Sequence, residues 1–193
     1  MKSIVGRLHS CSRRELFLLA LAAGAAVGMP AASHAFNGPR VSFRLLGPDS
    51  RVVTEADFLG YPGLVVFGFM SCPDVCPTTL LELAQFLRDL GPIAEKIRVA
   101  FISVDPDRDR ISELGPFVAN FDSRILALSG SREAVKEAVE SFHAIAEIIP
   151  QGDSYTIAHS VGIYVLDKGG YINGFLDLTS GSDKAASQIK ALL

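Results

Sequence analysis

An α/β fold built on a mixed sheet is what this 193-residue sequence predicts, on three observations. β-branched and aromatic runs alternate with segments of helical periodicity through the middle of the chain. Near the C-terminus the pattern changes to two short strands around Lys168-Gly169-Gly170. The composition, 49% hydrophobic and 20% charged, suits one globular domain plus an N-terminal appendage.

The elements follow in order. "VSFRLLGPDS" alternates and then turns at Gly47-Pro48-Asp49, predicting a hairpin strand. "LVVFGFM", Leu64 to Met70, is a continuous apolar run suited to a buried central strand. Pro77 and Thr78 open an amphipathic helix through Leu80, Leu81, Leu83, Ala84, Leu87 and Leu90, ended near Gly91-Pro92. Ile97 to Asp105 reads as a second buried strand, and "ISELGPFVANF" as a short helix interrupted by its proline. "RILALSG" and "SREAVKEAVESFHAI" repeat the strand-then-helix order, with Ser131 as N-cap and His143 as an ordinary helix residue. From Ser160 to Leu176 the chain reads as a hairpin, "SVGIYVLD" and "YINGFLD", and a helix from Asp183 to Leu193 closes it. Alternation of strand and helix gives parallel strands, the late hairpin adds antiparallel ones, and the order is compatible with a thioredoxin-like fold.

The first 35 residues have a different character. A basic segment precedes an apolar stretch from Leu16 to Met29, followed by small residues. That is the layout of an export signal, and the apolar stretch is shorter than the roughly twenty residues a membrane-crossing helix needs. Arg13-Arg14 in "SRRELFL" resembles a twin-arginine signal, Ser33-His34-Ala35 offers a cleavage site, and cleavage there starts the domain at Phe36. The alternative is a retained membrane anchor over the same residues. Either form places residues 36–193 in the periplasm or on the extracytoplasmic face of the inner membrane. The formal charge is -3, and basic residues do not cluster, so nucleic acid is not an expected partner.

Cleavage would remove Cys11 and leave Cys72 and Cys76 as the only cysteines, within "FMSCPDVCPTTL". A disulfide closing so short a loop constrains the unfolded chain little, so a structural staple explains the pair poorly. Each cysteine is followed by a proline, and both lie between the central strand and its helix. Unpaired N–H groups at a helix N-terminus favour thiolate over thiol, which predicts lowered pKa values there. A thiolate serves either disulfide exchange or a soft metal, and the spacing does not separate the two. The interval is C-x-x-x-C rather than C-x-x-C, and His159 lies just before the late hairpin, where this fold brings it beside the cysteine loop. Two thiolates and an imidazole suit Cu(I) and can hold Cu(II), whereas zinc ordinarily wants a fourth ligand.

"CPDVCPTTL", "VDPDRD" and "AHSVGIYVLDKGG" together resemble the Sco/SenC family over nearly the whole of residues 36–193. These are thioredoxin-like copper proteins associated with assembly of the CuA centre of cytochrome c oxidase. The resemblance implies copper, as Cu(I) or Cu(II), on Cys72, Cys76 and His159. It further implies a copper donor, a dithiol reductant, and a recipient that is a membrane oxidase subunit or another cuproprotein. The chain departs from the usual family pattern at Ala158, where an acidic residue is common, and at Met70, where a hydroxyl residue is common. The competing expectation is a thiol-disulfide reductase using Cys72 and Cys76 on the cysteines of a copper-site partner. Related oxidoreductases carry a proline facing the dithiol where this chain has Ala158-His159, which favours binding over catalysis. Asp74 reads as a solvated loop residue and Met70 as a packing residue. "DPDRDR", Asp105 to Arg110, reads equally as a docking surface or a solvated turn.

Overall fold

A computed structural model describes residues 38–72, 75–179 and 181–193. The expectations for residues 1–35, for the start at Phe36 and for Asp74 lie outside the described residues.

A short antiparallel hairpin comes first, β1 (Arg44–Leu46) and β2 (Val52–Thr54), joined through a single turn of 3-10 helix at Pro48–Ser50. The central strand β3 (Gly63–Gly68) is buried at every residue and ends two residues before Met70. It pairs in parallel with β4 (Arg98–Ser103), which pairs in parallel with β5 (Ile125–Leu128). On its other side β3 meets β8 (Ile163–Leu166) antiparallel, followed by β9 (Ile172–Leu176). The sheet therefore runs β5-β4-β3-β8-β9 and is mixed, as predicted. The turn between β8 and β9 is held by Asp167, whose Oδ1 accepts from the Gly169 and Tyr171 N–H groups at 2.8 and 3.0 Å.

Successive side chains on a strand point to opposite faces, and both faces of this sheet are covered. Val65 and Phe67 of β3 join Ala100, Ile102, Leu128 and Tyr164 under Phe43, Leu45, Val53 and helix α3 (Arg132–Ser141). Leu64 and Val66 face the other way, under α1 (Val75–Leu90), α2 (Ile111–Ala119) and α4 (Ser182–Lys190). A strand buried on both sides has no polar face to show, which is why its sequence is a continuous apolar run.

Several boundaries differ from the sequence expectation for local reasons. Helix α1 starts at Val75 rather than Pro77, because Pro77 falls in the first turn, where N–H groups have no intrahelical partner. Helix α2 runs unbroken through Pro116. Ser131 caps α3 as expected, its hydroxyl accepting from Ala134 N at 3.2 Å. His143, expected inside that helix, lies beyond its end at φ 51°. There its N–H donates to the Glu140 carbonyl, and the Ala144 N–H donates to the Val139 carbonyl, closing the helix in a Schellman arrangement. The largest difference is a second hairpin, β6 (Ala146–Gln151) and β7 (Ser154–His159), which forms its own two-stranded sheet. Its residues are largely exposed, so the apolar runs that signal a strand in sequence are weak there.

Candidate metal centre

Three elements supply the site. The chain leaves β3 through Phe69 and Met70, and the Cys72 N–H donates back to the Phe69 carbonyl at 3.2 Å, which tightens the turn. Cys76 is the second residue of α1, and His159 is the last residue of β7. Residues 72, 76 and 159 are thus brought together by a loop, a helix start and a hairpin end. Their ligand atoms all lie within 4.8 Å of one another.

Cys76 is buried, at 2% exposure, and Cys72 is partly buried. Gly68 makes room for the Cys76 sulfur: a Cβ at that position would sit 2.8 Å from Sγ and 2.7 Å from the Phe101 ring. Burial pushes the Cys76 thiol up to about 12, its hydrogen bond with Cys72 adds to the shift, and a backbone hydrogen bond from Phe69 opposes it. This corrects the expectation that the helix N-terminus lowers its pKa. The helix end offers partial charges, but desolvating a thiolate in the core costs more than they return. Cys76 is therefore a neutral thiol in the metal-free protein.

The hydrogen bonds of His159 fix its tautomer. Nδ1 lies 2.9 Å from the Ser160 carbonyl oxygen, which can only accept, so Nδ1 carries the proton. Nε2 then presents its lone pair toward Cys76 Sγ at 3.3 Å. A cation entering between them would meet an imidazole already in the right tautomer and would replace the thiol proton. The ring is held edge-on against Phe69, with centroids 5.7 Å apart at 85°. Ser160 fastens the strand end: its Oγ accepts from Ile145 N at 2.9 Å, and its N–H donates to the Ile145 carbonyl at 3.1 Å. Two sulfurs and one nitrogen in this arrangement fit a soft, low-coordinate metal such as copper.

Phe69 is a contributor that the sequence did not single out, since a phenylalanine at the end of an apolar run signals only packing. Met70 packs against the second core cluster, as expected. "DPDRDR" is a turn with two sides: Asp105 and Asp109 are 2% and 1% exposed and face inward, while Asp107 and Arg110 are exposed. Asp109 Oδ2 accepts from the Met70 N–H at 2.9 Å and from the Ser103 hydroxyl at 2.7 Å. Burial pushes the Asp109 carboxyl up, and these two donors work against that shift. Among the described residues, no helix is long and apolar enough to cross a membrane.

Residues 33–193 match the family model described as SCO1/SenC. Human "Protein SCO2 homolog, mitochondrial" is 34% identical over 151 residues, covering 76% of this chain and 55% of that protein. The chain spans about half the length of the vertebrate relatives it matches. Bradyrhizobium japonicum ScoI with copper bound shares 33% identity and superposes with a TM-score of 0.76, covering 81% of this chain and 100% of that one. Yeast Sco1 with copper bound shares 28% identity with a TM-score of 0.71, over 81% and 91% of the two chains. With two relatives of the same fold solved in complex with copper, and with a Cys-Cys-His group of its own that can hold that metal, the chain belongs to the SCO1/SenC family.

Proposed function

We propose that the chain carries copper: it binds one ion through Cys72, Cys76 and His159 and delivers it to a respiratory copper site, the CuA centre of cytochrome c oxidase. The observation that carries this reading is the convergence of two soft sulfur donors and an imidazole nitrogen within 4.8 Å, with the His159 lone pair turned toward sulfur. Loading displaces the proton from Cys76, so the cation supplies the charge that burial denies to a bare thiolate. A site with three protein donors leaves room for a recipient's ligand to add before one of its own departs, which suits transfer by ligand exchange. Both cysteines must be reduced before loading, so a dithiol reductant belongs to the cycle. Residues 36–193 form the copper-binding domain in this reading. Residues 1–35 serve as export signal or anchor and direct it to the extracytoplasmic face of the inner membrane.

A second reading has Cys72 and Cys76 as a thiol-disulfide reductase for the recipient's cysteines. The hydrogen bond between the two thiols favours it. In that reaction both thiols lose a proton and an electron each, their sulfurs join, and a partner disulfide opens to two thiols. The imidazole of His159, 3.3 Å from Cys76 Sγ at the place where related oxidoreductases carry a proline, favours the copper reading.

An anaerobic titration with Cu(I) against a chromogenic competitor tests the choice. One-to-one binding is expected, lost in Cys72→Ala and Cys76→Ala and sharply weakened in His159→Ala. No competition for copper, together with fast exchange of both thiols with a disulfide substrate, would transfer the assignment to the reductase.

A further inference from the structure

The hairpin that carries His159 needs explaining. Two strands alone are marginally stable in water, and most of β6 faces solvent. Yet its last residue must hold a metal donor in place to within a fraction of an ångström. Residues 155, 157 and 159 alternate onto one face of β7. Ile157 is buried in the core, and His159 faces Cys76. Tyr155, at the other end of that face, is held by the loop that follows β4.

The contacts are specific. The Tyr155 hydroxyl donates to Asp105 Oδ1 at 2.8 Å. The other oxygen of Asp105 pairs with Arg108 Nε. Arg108 Nη1 donates to the Tyr155 main-chain carbonyl at 3.0 Å. The guanidinium carbon lies 3.9 Å from the Tyr155 ring centroid and 5.7 Å from that of Phe69, the ring that meets His159 edge-on. Arg108 thus grips both the main chain and the ring of Tyr155 and reaches toward the aromatic group that holds the histidine. The same loop holds the cysteine side. Ser103 Oγ accepts from Asp105 N at 3.0 Å and donates to Asp109, which in turn fixes the Met70 N–H two residues before Cys72.

We infer that Asp105, Arg108 and Tyr155 are positioning residues for the metal site: they clamp the β6–β7 hairpin to the loop after β4 and thereby hold His159 at its distance from Cys76. The inference rests on the copper reading for its consequence, although the clamp itself is a property of the metal-free protein. It assigns "DPDRDR" to a frame that joins the two halves of the ligand set, which lie 83 residues apart in sequence. Arg108 has a role that lysine cannot fill, since a lysine lacks the planar fork that stacks on Tyr155 while bonding Asp105 and a carbonyl together.

A double-mutant cycle in the full chain tests it. Tyr155→Phe keeps the ring and removes only the hydroxyl. It is expected to weaken Cu(I) binding about tenfold, as loss of a partner behind a ligand commonly does. In a His159→Ala background the same change should have almost no effect, because the clamp acts through the histidine. Arg108→Lys should behave like Tyr155→Phe and weaken nitrogen coupling in the Cu(II) resonance spectrum. A merely stabilising role would move the unfolding midpoint and leave affinity and spectrum alone. An equal loss with and without His159, or wild-type affinity in both Tyr155→Phe and Arg108→Lys, would overturn the inference. Were the parent protein not to bind copper, the copper reading would fail separately. The clamp would then be decided in the metal-free protein by the ring resonances of His159, which Tyr155→Phe and Arg108→Lys must shift and Ile148→Ala must not.

Discussion

Gly68 is small because two neighbours need the space. A methyl group there would stand 2.8 Å from the Cys76 sulfur and 2.7 Å from Phe101. Gly68→Ala is therefore expected to destabilise the domain by about 1–3 kcal/mol through overpacking. It should also weaken copper binding, because the sulfur is one of the two groups that must give way. Denaturant unfolding read alongside copper affinity checks both, and an unchanged affinity would show that Phe101 alone moves. His159 teaches a similar lesson at the level of a proton. Its bond to the Ser160 carbonyl decides which nitrogen is available, and that bond depends on backbone geometry rather than on the residue's identity.

Helix α1 both builds the core and positions Cys76. Leu80, Leu83 and Leu87 are fully buried against the sheet, while Leu81 on the opposite side is 58% exposed. Leu83→Ala is expected to cost about 2–5 kcal/mol, with Leu81→Ala within about 0.5 kcal/mol of the parent, both measured by chemical denaturation. The sequence reading counts Leu81 with the apolar set, and the structure leaves it outside the core, since helical period turns it well away from Leu83 and Leu87. The β6–β7 hairpin is the opposite case. Its β6 residues beyond Ala146 are exposed, among them Ile148 and Ile149, so no buried face sets a pattern for the eye to find. What keeps it in place is the bonding of Tyr155 to Asp105 and Arg108, partners some 50 positions earlier in the chain.

For the molecule as a whole, binding to the folded state alone must raise stability by mass action. At a free copper concentration a hundredfold above the dissociation constant, the gain is about 2.7 kcal/mol, or a Tm rise of about 5–10 °C for a domain of this size. Anaerobic calorimetry with and without Cu(I) checks this. A chelator should reverse the shift, and Cys76→Ala should abolish it. An equal rise in Cys76→Ala would mean that copper stabilises the protein from some other place.

The sequence by itself determined the α/β class, the central position of β3, the four covering helices and the late hairpin, because each buries an apolar face whose period is written in neighbouring residues. It also determined the donor types, since two thiols and a histidine were legible as chemistry before any contact was known. The tertiary structure alone decided the state of those donors. Burial of Cys76 overrides the helix end and keeps the thiol protonated, and the Ser160 carbonyl selects the histidine tautomer. It also decided that Asp105 and Asp109 are buried supports of the site rather than a charged surface. The physical reason is the same throughout: amphipathic period is a local property of the chain, whereas desolvation and hydrogen-bond partnership depend on groups brought together across long separations in sequence.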